Sequence, residues 1–259
     1  MFYAGVMVSI RILAGIAEQD LARGIFDQVW PSSDGTQITA NLLQAMVHNG
    51  TYVAGAFING EIVAAAFAFP GLGEDKHLHL HSHMAAVKEE FRNQDIGSAL
   101  KKHQKLWALE NGYDEIRWTF DPLVRRNARL NLGKLGVRVY NYFPDFYGEL
   151  DDALNAGDPT DRVIAQWELT KDWQPEFNGE GIETALAIVD GKPISRQCDA
   201  EKVLCYLPED IVQLRAQDSE LALQWRLALR HELQSRLDAG WQITGFTHDG
   251  AYIVSKRVV

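Results

Sequence analysis

Apolar and polar positions along the chain alternate in some stretches and recur every third or fourth residue in others. Val8–Leu13 reads as a short strand, and Ile16–Trp30 as a helix that stops before Pro31. A second helix is expected over Ile38–His48, closed by Asn49-Gly50. Tyr52–Ile58 and Glu61–Phe69 are rich in β-forming residues, and the Asn59-Gly60 between them is a strong hairpin signal. After a loop at Pro70–Lys76, His77–Val87 alternates with period two. Ile96, Leu100, His103 and Trp107 mark one face of a helix from about Gln94 to Asn111, which Gly112 ends. Strand Glu115–Phe120 places Ile116, Trp118 and Phe120 on one face, and a short helix is expected over Asn127–Leu135, closed by Gly136. Val137–Phe143 and Val163–Leu169 are strands around the Gly- and Asp-rich loop Tyr147–Asp161. This order predicts an α/β protein of mixed α+β layers.

Asp172–Pro193 shows no periodicity, so the expected division is a first domain at 1–170, a linker at 171–193 and a C-terminal unit at 194–259. The C-terminal unit reads as β-α-β-β: strand Lys202–Leu207, turn Pro208-Glu209-Asp210, helix Ser219–Ala239, and a hairpin of Trp241–Thr247 and Tyr252–Lys256 across Asp249-Gly250. Asp218 is the expected cap of the helix, and Leu221, Trp225, Leu229, Leu233 and Leu237 form its core stripe. A unit this small is expected to pack against the first domain.

The chain has 259 residues, 46% of them hydrophobic and 23% charged, as in ordinary water-soluble proteins. No apolar run approaches the roughly 18 to 20 residues of a membrane span, and the N-terminus lacks the basic region and cleavage site of a signal peptide. Two cysteines, Cys198 and Cys205, exclude a disulfide framework and point to a reducing cytoplasm. The net charge of −10 argues against nucleic acid as a partner. Against that background Arg117, Arg125, Arg126, Arg129, Lys134 and Arg138 cluster in sequence with one acid, Asp121. Such a cluster suits a small polyanion, or a solvated helix face.

The stretch from Val87 to Leu100 crosses a strand-to-helix junction. A turn of that kind leaves backbone N–H groups free at a helix N-terminus, where the dipole favours an anion. Arg92, Lys88, Lys101 and Lys102 add positive charge, and a pyrophosphate fits the arrangement.

This stretch resembles motif A of the GNAT superfamily of acyltransferases, in which a strand ending in Val is followed by Arg/Gln-x-x-Gly-x-Gly/Ala. Val87, Arg92, Ile96, Gly97 and Leu100 match, and Asp95 stands where the family usually has its first glycine. Ala128 with Lys134-Leu135-Gly136-Val137 resembles the late family motif. Leu80–Met84, Trp118–Leu123 with Asn127, Tyr147-Gly148, Asn155, Asp161-Arg162 with Trp167, and Trp225-Arg226 with Arg230 and Gly240 resemble a bacterial and archaeal branch of predicted acetyltransferases. The resemblance implies a GNAT fold with an additional C-terminal unit. It also implies acetyl-CoA, or another acyl-CoA, as co-substrate without a metal. The partners would then be an acyl-CoA and an amine-bearing acceptor, with a homodimer left open and no membrane or nucleic acid involved. Ala86, Val87, Arg92, Asn93, Gln94, Asp95, Ile96, Gly97, Ser98 and Asn127 are the implied coenzyme-binding residues. The family often has a general-acid Tyr on the late helix, where this chain has Leu132. That departure and Asp95 keep open a catalytically degenerate CoA- or nucleotide-binding sensor, or a structural module.

Direct attack of an amine on the thioester needs a base with a pKa near neutrality, which histidine supplies. His83 is the first candidate, His81 the second, and Asp121 through a water the third. His77, His79, His81 and His83 would line one face of a strand over about 20 Å, without a companion Cys or a fixed carboxylate to complete a metal site. His77 and His79 are expected at the surface. Structural readings stand beside these: a satisfied histidine, a turn cap at Asp121, a helix cap at Asn127 and at Asp95, and core or cleft-wall aromatics at Tyr140, Tyr142 and Tyr147.

Overall fold

A computed structural model of the chain describes residues 2–3, 6–31, 35–74, 76–148 and 158–257. Asn155 and much of the loop expected at Tyr147–Asp161 lie outside the described residues. Contacts group the chain into two compact units, one of Met1–Trp118 with Glu168–Thr170, the other of Thr119–Trp167 with Lys171–Val259.

In the first unit, strands β1 (Phe2–Tyr3), β2 (Val6–Ile12), β3 (Tyr52–Ile58), β4 (Glu61–Leu72) and β5 (Leu78–Val87) pair in sequence order, all antiparallel. β6 (Glu115–Phe120), which ends in the second unit, pairs with β5 in parallel. Helices α1 (Ile16–Val29) and α2 (Ala40–His48) bring Ala22, Ile25, Phe26 and Leu43 onto Val53, Ala65, Phe67 and Met84 in one buried cluster. Thr39 caps α2, its hydroxyl accepting from the Leu42 amide. α3 (Ile96–Glu110) packs on β3 and β5. At the Asn59-Gly60 turn both residues have positive φ, 51° and 84°, the backbone that this dipeptide favours. β4 runs three residues past its expected end, because Pro70, Gly71 and Leu72 lie opposite Leu80, His79 and Leu78.

The second unit holds α4 (Arg125–Ala128), which continues as a π-helical turn over Arg129–Lys134, then β7 (Arg138–Phe143) and β8 (Arg162–Glu168). It goes on through β9 (Glu183–Val189), β10 (Lys192–Ser195), β11 (Lys202–Tyr206), α5 (Ile211–Gln217), α6 (Ser219–Asp238), β12 (Trp241–Phe246) and β13 (Ala251–Lys256). Its strand order is β8-β7-β12-β13-β11-β9-β10. The expected linker at 171–193 is therefore a correction: β9 and the start of β10 lie inside it, joined at Asp190-Gly191 with φ 49° and 78°. The 194–259 segment likewise forms one unit with 119–167, so the expected boundary near residue 170 does not hold. Trp225, Leu229 and Leu233 of α6 are fully buried, as their spacing predicts, and Asp218 caps the helix at the Leu221 amide.

Candidate functional site

A one-turn helix over Glu89–Phe91 follows β5, and the chain then turns through two left-handed residues, Asn93 (φ 61°) and Asp95 (φ 56°). The first helical bond of α3 runs from the Ala99 amide to the Asp95 carbonyl, so the amides of Ile96, Gly97 and Ser98 precede every intrahelical acceptor. Asp95 makes no side-chain cap bond, which corrects the cap expected there; its backbone adopts the conformation usually left to glycine. A Cβ on Gly97 would meet only Val87 Cγ2, at an ordinary 3.8 Å. Arg92 and Lys102 are exposed, whereas Lys88 pairs with Glu61. Lys101, expected beside the phosphates, is turned under the sheet at 6% exposure. Its ammonium donates to Ser82 Oγ at 2.7 Å and lies 3.8 Å from the centroid of Trp118.

β5 carries one more residue than β4 needs. Phe67 lies opposite Met84 and Ala68 opposite Ser82, which leaves His83 as the extra residue of a bulge. The bulge switches the faces. Ser82 meets Lys101 of α3, whereas Met84 and Ala86 join the cluster under α1. His81 and His83 stay close, with ring centroids 5.7 Å apart, and both border Phe69, at 5.0 and 5.6 Å. Desolvation lowers the pKa of both; His81, which also feels His83, His79 and Lys101, falls to about 4. The expectation of an unperturbed histidine is corrected accordingly. His79 is buried rather than at the surface, its ring so close to Gly71 that a Cβ there would lie 2.6 Å from Nε2. His77 bonds Asp114 Oδ1 at 2.8 Å. Among the described residues no cluster of His, Cys, Asp and Glu is arranged to hold a metal ion.

Asp121 is the clearest correction. It is buried and bridged by two arginines, Arg226 at 2.8 Å on Oδ1 and Arg215 at 2.7 Å on Oδ2, while Oδ1 also accepts from the Leu123 amide. Burial alone would raise its pKa; the two guanidinium groups outweigh burial and hold the carboxyl well below its usual range. A carboxylate so paired cannot serve as a base near neutral pH. Arg226 and Arg215 also grip Asp158, and Arg230 holds Asp161, which accepts from the Tyr142 hydroxyl as well. Tyr142 is thus a core residue, whereas Tyr147 is exposed and bonds Thr119 Oγ1 at 2.9 Å. Asn127 is not the helix cap, since α4 begins after Val124. The basic cluster is largely engaged within the protein: Arg117 with Glu115, Arg125 with the Leu207 and Asp249 carbonyls, Arg129 with His248, and Arg138 with Thr244. Leu132 is fully buried.

Residues 18–135, a little under half of the chain, match the profile of the Acetyltransferase (GNAT) family. Among solved structures, a putative acetyltransferase from Salmonella typhimurium, determined with its cofactor acetyl-CoA, is 18% identical over 66% of this chain and 98% of its own, with a TM-score of 0.52. A GNAT-family acetyltransferase from Streptococcus pneumoniae is 15% identical over 62% of this chain and 98% of its own, with a TM-score of 0.50. An N-acetyltransferase from Staphylococcus aureus Mu50 is 14% identical over 63% and 99%, also at 0.50. At these identities the likeness shows the fold, which is the mixed α/β GNAT fold. A search of curated proteins finds no match.

Proposed function

We propose that the protein is an acyl-CoA-dependent N-acyltransferase that moves an acetyl or other short acyl group from its CoA thioester to an amine by direct attack in a ternary complex. One observation carries the reading. Asn93 and Asp95 turn the chain so that the amides of Ile96, Gly97 and Ser98 stand at the positive end of the 15-residue α3. A pyrophosphate there would take these amides and the Arg92 guanidinium. Ala86 and Val87 lie on β5 beyond its ladder with β6, where an extended pantetheine chain could add to the strand edge.

In this reading His83 takes the proton that an alkylammonium must lose, with His81 as the alternative. Because its pKa is lowered, His83 is neutral and able to accept at neutral pH. The amine lone pair attacks the thioester carbonyl carbon; the N–C bond forms, the C–S bond breaks, and sulfur leaves with the electron pair. With Leu132 buried where a tyrosine acid often stands, water carries the second proton of the attacking nitrogen to the leaving thiolate, which leaves a neutral amide and CoA thiol.

The same two departures, Asp95 and Leu132, favour a second reading: a module that binds a CoA species without turnover. Calorimetry with CoA tests the shared part. Arg92→Glu should weaken binding at least about tenfold, since a charge-assisted phosphate contact contributes roughly 1.5–3 kcal/mol. An unchanged affinity would remove the placement. Thiol release from acetyl-CoA with a panel of amines separates the readings, since a binding module releases none.

A further inference from the structure

β5 and β6 are joined by a ladder of Leu80 opposite Ile116 and His81 opposite Arg117. Ser82 and Trp118 are the next residues along each strand, and Lys101 touches both. Its third contact, at 3.3 Å, is the neutral Oε1 of Gln104, whose Nε2 is buried without an acceptor. Among the described residues no carboxylate offsets the desolvation of this ammonium, buried among a hydroxyl, an amide oxygen and an indole ring, so packing alone does not explain it. We propose that Lys101 is a positioning residue which fixes the spacing of β5 and β6 at the first residues beyond their ladder, and through Ser82 the backbone of the His83 bulge. The proposal rests on the acyltransferase reading, in which the thioester carbonyl lies beside that bulge. Burial holds the Lys101 pKa down to about 7, and its charge in turn depresses His81 on the neighbouring strand.

Lys101→Met keeps the length of the stem and removes the charge, so it should fold. It should bind CoA within about twofold of the parent, because the turn at 92–98 is untouched, while turnover with acetyl-CoA falls about tenfold or more. Ser82→Ala should lose a similar factor, and the double variant little more than either single one, since the two residues act as a unit. Hydrogen exchange at the amides of residues 80–82 and 116–118 should speed up in Lys101→Met. Unchanged exchange there, or parental turnover in Lys101→Met, overturns the proposal. If the parent protein bound no CoA, the acyltransferase reading would fail by itself, and the exchange measurement would still decide whether Lys101 fixes the two strands.

Discussion

Asp95 holds a left-handed backbone at the entrance to α3 without a cap bond to show for it. Non-glycine residues in that conformation cost about 1 kcal/mol or more, and Asp is among the better tolerated. Asp95→Gly should therefore leave thermal stability within about 1 kcal/mol of the parent and keep or raise CoA affinity, because a negative charge leaves the proposed phosphate site. A large loss of binding by calorimetry would give the carboxylate a positive role. His83 makes a sharper prediction. Removing a general base costs about 10²–10⁴ in rate, so His83→Ala should lose turnover by that factor with CoA affinity intact. The sign of the pH dependence follows from the lowered pKa: the parental rate should be level above the ordinary histidine value and fall only at more acid pH, as His83 gains its proton. If the double variant of His81 and His83 ran at the parental rate, both histidines would be structural.

At the scale of elements, α6 binds Asp121, Asp158 and Asp161 through Arg226 and Arg230. Arg226 is fully buried between Asp121 and Asp158. Removing one partner of such a group strands the others, at a cost of about 3–5 kcal/mol. Arg226→Met should lower unfolding stability by that amount and speed hydrogen exchange along α6; a loss below about 1 kcal/mol would mean the carboxylates find water or new donors. These pairs could not be read from the sequence, since Arg226 and Asp121 are 105 residues apart and nothing local couples them. The hairpin at Asn59-Gly60 was legible because its turn chemistry is local, and Asp190-Gly191 carries a similar signal inside the stretch expected as linker. The strand-to-helix turn before α3 was legible from its spacing, but the bulge at His83 was not. A bulge depends on which residue of β4 lies opposite, and the period-two pattern of β5 continues through it while the faces exchange. Lys101 was misplaced for a related reason: its position one turn into α3 suggested phosphate, and only the packing of α3 on β5 shows it facing Ser82.

Taken as a whole, the chain divides its sequence unevenly: Asp121, Asp158 and Asp161 have their arginine partners after residue 171, within their own unit. Arg117, Arg125, Arg129 and Arg138, which would attract a polyanion in a count along the sequence, are donors to main-chain carbonyls or to acids of their own unit. At the turn itself Lys88 is bound to Glu61 and Lys101 is under the sheet, so Arg92 and Lys102 stand against Glu89, Glu90 and Asp95. With a net charge of −10, the long-range field works against a phosphorylated ligand, and only the short-range amides and Arg92 would draw it in. Encounter should then be slowed by the protein's own field, and added salt should relieve the brake. Between about 20 and 300 mM salt, where the screening length shrinks from roughly 20 to 6 Å, the stopped-flow association rate for CoA should rise or hold level. A steep fall would mean that some basic side chain reaches the incoming phosphates from further out than Arg92.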